Sequence, residues 1–355
     1  MTDAMPRYDV EGFTDKELDY YSRLIMLSDM GIESQRKLKE STVCVVGLGG
    51  LGSPVAMQLA SMGVGKLRIV DSDVVETSNL QRQHLYSMDQ VGLPKVEAAS
   101  RRLMGLNPFI EIEPIPLSVT PNNAGELIVG SDVVIGALDR MAPRYALNRA
   151  CLESGTPLIH GAAVAYNGNV STIIPGKTAC LECFQGGIDD SQLPTCAVVG
   201  VHPSLVNVIG SMMASEAVRV LADLEPVLAD RLMFVDFHDL SFDVIKLMRS
   251  ERCPVCGESD REPYPLTFEP IVEICGREGR RVFVFQPEER LEVELFRVLE
   301  KVEELGYEVF AQGMLGFSFV GSDGVKGSVL KSGITILEGF KDKESATRFH
   351  DQILG

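Results

Sequence analysis

A chain of 355 residues, 45% apolar and 23% charged, has material for one large domain plus a small one, or two medium ones. Its net charge of −17 argues against a DNA or RNA partner, because binding a phosphate backbone takes a basic face. No apolar run approaches the roughly 18 residues of a membrane span, and Met1-Thr2-Asp3 opens no basic or apolar leader, so a cytoplasmic protein without a membrane partner is expected.

Residues 14–40 read as helical, with Thr14 and Asp15 as capping candidates and Leu18, Tyr21, Leu24, Ile25, Leu27 and Ile32 at near-helical spacing. Gly31 splits that stretch into two helices. Val43-Cys44-Val45-Val46 reads as a buried strand, followed by the turn Gly47-x-Gly49-x-x-Gly52 and a helix from Ser53-Pro54 to about Met62. Glycine at 47 and 49 lets the backbone approach a phosphate, and Gly52 lets the helix pack on the strand. The helix start then suits an anion.

A second strand, Leu67 to Val70, ends in Asp71. Residues 95–106 form a helix stopped by Asn107-Pro108, and a strand from Ile110 to about Leu117 precedes a short helix after Pro121. Asp132 to Ala137 is a buried strand, with a helix over 143–154. This alternation predicts a parallel, doubly wound sheet. Residues 157–174 read as strands around a hairpin signal, Asn167-Gly168, that extend the sheet antiparallel. Residues 185–200 read as a long exposed loop, 203–224 as an apolar helix, and two more strand-like segments lead to Cys253. Pro263 and Pro265 mark a linker between expected domains at 1–258 and 266–355. The second is read as a small α+β unit: strand 281–285, helix 293–305, strands near 314–320 and 334–338, helix 343–353.

Cys180-x-x-Cys183 and Cys253-x-x-Cys256 supply four thiolates, the tetrahedral set of a closed structural Zn²⁺ site; buried thiols or disulfides are the alternative. Asp71 lies roughly 20 residues beyond the glycine turn, where a ribose-binding acid is expected. NAD and ATP both fit that far. Asn79, Arg82 and Lys95 favour a triphosphate under attack. Asp139, just past the strand at 132–137, suits Mg²⁺, or caps the following helix.

Together these residues resemble the family that includes MoeB, ThiF and the ubiquitin-activating enzymes. The likeness spans about Tyr20 to Gly257 and includes Tyr21-Ser22-Arg23-Leu24, Gly47 to Gly52, Val70-Asp71-Ser72-Asp73, Ser78 to Gln83, Pro94-Lys95-Val96, Leu138-Asp139, Gly161-Ala162-Ala163, both cysteine pairs and Thr195-Cys196-Ala197. The resemblance implies a Rossmann-like, zinc-stapled α/β sheet. It also implies ATP-dependent adenylation of the C-terminal glycine of a ubiquitin-like sulfur carrier with a Gly-Gly tail. Gly47, Gly49, Gly50, Gly52, Asp71 and Asp73 would then bind the nucleotide. Asn79, Arg82 and Lys95 would contact phosphates, and Asp139 would hold Mg²⁺. Arg23 would reach into the site of a second copy, which implies a homodimer.

Three departures stand out. Arg23-Leu24 replaces the usual Arg-Gln, Leu138-Asp139-Arg140 the usual Thr-Asp-Asn, and Ala197-Val198-Val199-Gly200 the usual Ala-Glu-Ala-Gly. Some relatives use the thiol matching Cys196 for a thioester or persulfide, which would bring in a sulfur donor enzyme; others stop at adenylation. Cys44 and Cys151 read as core residues, and Cys275 as structural before it is a sulfur relay. The end, Leu354-Gly355, lacks a Gly-Gly, so the chain is not expected to be its own carrier. The competing readings are adenylation of a non-carrier carboxylate, a catalytically silent docking partner, and an NAD-dependent oxidoreductase. In the last, Asn79, Arg82, Lys95 and Asp139 would have no role.

Overall fold

A computed structural model of the chain describes residues 10–190, 199–275, 281–288, 291–322 and 324–355. Its first sheet grows outward from β1 (Thr42–Val46), whose Val43, Cys44, Val45 and Val46 are buried on both faces. β2 (Lys66–Val70), β3 (Glu111–Ile115), β4 (Val133–Gly136) and β5 (Leu158–Val164) run parallel to it in the order β3-β2-β1-β4-β5. β6 (Asn167–Ile173), β7 (Arg231–Asp236) and β8 (Ser241–Lys246) continue antiparallel. The chain order reverses between β1 and β4, the place where open α/β sheets bind ligands at their carboxyl ends.

Helices cover both faces. On one lie α1 (Asp15–Ile25), α2 (Gly31–Glu40), α3 (Gly52–Met62) and α4 (Lys95–Leu106). Thr14 caps α1, and the expected break between α1 and α2 is present. α3 buries Val55, Ala56, Leu59 and Ala60 completely, and full burial of Val55 and Leu59 contributes about 1.5–3 kcal/mol each. α5 (Ala124–Ile128), α6 (Met141–Ser154) and α7 (Leu181–Gln185) cover the other face. α8 (Pro203–Leu221) packs against α3, β5 and β6. It is long and apolar enough to cross a membrane, yet more than half of it is buried in the core.

The hairpin between β5 and β6 is displaced from its sequence signal. Asn167 and Gly168 sit inside β6, paired with Val164 and Ala163, and Ala165-Tyr166 makes the turn with Ala165 at φ +51°. Glycine at 168 answers a different need: a Cβ there would lie 2.7 Å from Ile209 of α8.

The second sheet is fully antiparallel, in the order β11-β12-β13-β14-β10-β9. Its strands are β9 (Ile271–Cys275), β10 (Arg281–Phe285), β11 (Glu308–Gln312), β12 (Gly316–Val320), β13 (Lys326–Leu330) and β14 (Thr335–Glu338). Helices α9 (Leu295–Glu304) and α10 (Lys343–Leu354) join Phe283, Phe317, Phe319 and Leu337 in a separate core. The strands near 314–320 and 334–338 are β12 and β14. β9, β11 and β13 were not expected: β11 is short, with only Val309, Phe310 and Ala311 apolar, and β13 contains Gly327 and Ser328. The other side of this sheet faces the first unit, where Leu330 and Ile334 enter the core beside β1 and α6.

Candidate active site

The glycine turn after β1 is shaped by close approach. Gly47 has φ +89°, and a Cβ on it would lie 2.6 Å from the Ala137 carbonyl; a Cβ on Gly52 would lie 1.8 Å from the Gly47 carbonyl. Gly50 packs on Val206 of α8. Only Gly49 leaves room around its Cα, so the turn is built by packing at three glycines and opened by one.

Asp71 at the end of β2 ties this turn down. Its Oδ2 accepts from the Leu48 N–H at 2.7 Å and its Oδ1 from the Asp73 N–H at 2.8 Å. Burial raises its pKa, against the charge of Lys95 and these two bonds. Lys95, the first residue of α4, is 5% exposed and donates to Asp73 Oδ2 at 2.8 Å. Burial alone would push the Lys95 ammonium down, but Asp73 and Asp71 outweigh it and hold its pKa above the usual lysine range. A permanent cation therefore stands beside the glycine turn.

The segment from Ser78 lies over the turn. Asn79 Oδ1 accepts from the Glu76 N–H at 3.2 Å, its amide reaches Ser78 Oγ at 3.3 Å, and Arg82 donates to the Ser78 carbonyl at 3.0 Å. Tyr86 donates to the Leu48 carbonyl at 2.9 Å. Two side chains given no individual role from the sequence belong here, although Gln83 closes the matching stretch Ser78 to Gln83. Gln83 is buried beside Gly49, and its Oε1 has no hydrogen-bond partner among the described residues. Arg144 on α6 donates through Nε and Nη2 to the Leu138 carbonyl at 3.0 and 2.6 Å. Its position three residues into the helix that follows Asp139 was the available signal.

Asp139 is exposed at the carboxyl end of β4, with no hydrogen bond or ion pair among the described residues. It does not cap α6. That role falls to Asp190, which accepts from the Met141 and Ala142 N–H groups at 2.6 and 3.1 Å. Arg23 is exposed on α1 and among the described residues reaches only Met26 Sδ, at 3.9 Å, so there it does not join the other site residues.

The four cysteines converge although 73 residues separate the pairs. Cys180, Cys183, Cys253 and Cys256 place their sulfurs within 4.8 Å of one another. Neighbouring sulfurs lie 3.4 to 3.9 Å apart, matching the roughly 3.8 Å edge of a tetrahedron with Zn–S bonds of about 2.3 Å. Hydrogen bonding within the cluster pulls Cys183 down and pushes Cys180 up. Glu182, inside the first pair, makes a bidentate ion pair with Arg149 at 3.0 and 2.7 Å. Arg249 donates to the Cys256 carbonyl at 3.2 Å. The donor set and its spacing fit Zn²⁺.

Cys196 lies outside the described residues, as does the side chain of Cys275 at the end of β9. Cys44 and Cys151 are buried in the core, and burial pushes the Cys44 thiol up to about 12.

A family model, the ThiF family, matches residues 21–255. The SAMP-activating enzyme E1 of Haloferax volcanii is 42% identical over 243 residues, covering 68% of this chain and 90% of the relative. The sulfur carrier protein adenylyltransferase of Thermus thermophilus is 38% identical over 270 residues, covering 74% and 98%. Among solved structures, E. coli MccB with ATP superposes with a TM-score of 0.58 at 26% identity, covering 64% of this chain and 69% of that one.

Proposed function

The chain belongs to the ThiF family, and we propose that it adenylates the C-terminal glycine carboxylate of a ubiquitin-like sulfur carrier with a Gly-Gly tail. One relative is named as activating SAMP and another as adenylating a sulfur carrier protein, and this chain covers 90% and 98% of their lengths. The observation that carries the reading is the meeting of Lys95, Asp73 and Asp71 beside one glycine turn at the reversal point of a parallel sheet, with Asp139 exposed two residues after Ala137, whose carbonyl closes on Gly47. That arrangement serves phosphoryl chemistry and offers nothing to hydride transfer.

In this reaction a carboxylate oxygen of the carrier tail bonds to the α-phosphorus of ATP. The bond from that phosphorus to the bridging oxygen breaks, and pyrophosphate leaves with the electron pair. Asp71 keeps lone pairs for the ribose hydroxyls beside the two backbone bonds it accepts. Arg82 and Lys95 neutralise charge as it moves toward the leaving group. Asn79 holds the turn that presents Arg82 and contributes its second amide hydrogen. Asp139 would hold Mg²⁺, which draws charge from the phosphates when bound. The four cysteines would hold a structural Zn²⁺ that fixes α7 and the residues just after it.

The finer assignments are part of the same proposal: domains at 1–258 and 266–355, and a cytoplasmic enzyme that binds neither membrane nor nucleic acid. It would be a homodimer in which Arg23 serves the neighbouring site. Mixing Arg23→Ala with Asp139→Ala chains would then restore exchange by assembling one intact site. Cys196 would either form a thioester with the activated tail, its sulfur bonding to the acyl carbon as AMP leaves and the thiol proton passes to solvent, or carry a persulfide received by exchange from a persulfide-bearing donor enzyme; a carrier adduct that persists in Cys196→Ala removes that step.

ATP–pyrophosphate exchange with and without Gly-Gly-tailed carriers tests the reading. Carrier-dependent exchange lost in Asp139→Ala supports it. Exchange driven by a peptide carboxylate and by no carrier would replace it with adenylation of a non-carrier substrate, and NADH binding without exchange would overturn it.

A further inference from the structure

The segment that delivers Lys95 is held from two sides. On the inner side residues 92–95 run antiparallel to 73–75: the Val75 N–H donates to Leu93 O at 2.8 Å, the Gly92 N–H to Val75 O at 2.9 Å, and the Lys95 N–H to Asp73 O at 2.9 Å. On the outer side the C-terminal sheet closes on the same four residues. Ser318 of β12 donates to the Gly92 carbonyl at 2.6 Å. A Cβ on Gly92 would lie 2.5 Å from Phe310, and a Cβ on Gly316 would lie 2.9 Å from Pro94.

The strongest of these contacts is made two residues after Lys95. Glu97, 5% exposed, accepts the Met314 N–H at 3.0 Å on one carboxylate oxygen and the Leu315 N–H at 2.8 Å on the other. Arg101 completes its environment. The fit allows no side chain at Gly313, where a Cβ would lie 2.3 Å from Glu97 Oε2. A buried carboxylate accepting two backbone N–H groups is a strong, directional grip. A flexible lysine, by contrast, has about 2 kcal/mol of rotamer entropy and holds a fixed position only if its stem and backbone are fixed.

We propose that Glu97 is a positioning residue for the nucleotide site: by gripping the turn at 313–315 it makes the C-terminal sheet the outer wall that fixes the first turn of α4, and with it the Lys95 ammonium, for the phosphates of ATP. The proposal rests on the adenylation reading above. It gives the C-terminal unit a part in binding ATP, beyond adding stability.

The test is MgATP binding by titration calorimetry on the full chain, well below each variant's melting temperature. Glu97→Gln preserves volume but turns an amide toward a backbone donor. It is expected to weaken MgATP binding about tenfold or more, since displacing a positioned group by about 1 Å costs up to a hundredfold. Gly313→Ala should do the same from the other side of the contact. Ser332→Ala is the control. It removes a second anchor between the units, the bond from Ser332 to the Pro116 carbonyl, and should lower the melting temperature without changing affinity. In a Lys95→Met background Glu97→Gln should add nothing, because the two act as one unit. Equal affinity in wild type, Glu97→Gln and Gly313→Ala, or an equal loss in Ser332→Ala, would overturn the inference and leave the adenylation reading standing. A wild-type chain that binds no MgATP would overturn both.

Discussion

Asp190 and Met141 stand 49 residues apart in the chain, with α6, β5, β6 and α7 between them, yet they are joined directly: the Asp190 carboxylate accepts the Met141 N–H at 2.6 Å and so closes the N-terminus of α6. The cap therefore comes from the segment that follows α7, and Asp139, two residues before the helix, keeps its carboxylate exposed.

This division of labour separates two substitutions that sequence alone would treat alike. Asp139→Ala should leave the melting temperature within about 1 °C of wild type while exchange falls on the order of a hundredfold or more. Asp190→Ala should lower stability by about 1 kcal/mol through loss of the cap. Thermal melts and exchange assays on both variants check the contrast.

The ion pair between Arg149 and Glu182 is a second target, because the Glu182 side chain is only 2% exposed. Arg149→Ala leaves that carboxylate buried without its cation and should cost about 3–5 kcal/mol in urea unfolding. The double variant Arg149→Met with Glu182→Gln should recover part of the loss, since removing both charges removes the uncompensated one.

Zinc should be found at about one ion per chain in purified protein by elemental analysis. Cys253→Ser, which breaks a set whose sulfurs now stand 3.4 to 3.9 Å apart, should lose it and destabilise the chain by several kcal/mol, roughly 3 or more. A zinc-free chain that melts at the wild-type temperature would remove the structural role.

His160 supplies a pH test. It is 2% exposed, and its Nε2 has no partner among the described residues. Burial, helped by the Arg144 charge, lowers its pKa from 6.5 to about 3. A depressed folded-state value means that the neutral form favours folding. Its contribution is complete above about pH 6.5 and is lost as pH falls toward 3, on the order of a few kcal/mol. His160→Gln should flatten the stability profile between pH 6 and 4, and the exchange profile near neutrality should carry no limb from this residue.

Where chemistry is local, the residues announced themselves. Gly47 and Gly52 are glycine because carbonyls occupy the space a Cβ would need, and both Cys-x-x-Cys pairs show by spacing alone, the second also marked by Pro254 and Gly257. Periodicity gave α4 its bounds at 95 and 106, because the apolar stripe stops at Asn107-Pro108. The hairpin signal failed at Asn167-Gly168 because α8 needs the glycine there for packing, and a tertiary demand took over a residue type that usually marks a turn.

By itself the sequence determined the chemical inventory: a strand–glycine–helix unit, an acid at 71, cations at 82 and 95, an acid at 139 and four thiols in two pairs. Those are properties of residue types at short spacing, which a chain carries before it folds. Only the tertiary structure decided who meets whom. It paired Lys95 with Asp73, gave the α6 cap to Asp190, brought two cysteine pairs 73 residues apart into one tetrahedron, and set Glu97 against the turn at 313–315. The reason is physical. Contacts between residues tens to hundreds of positions apart depend on how layers stack and where loops return, and no local period in the chain records that.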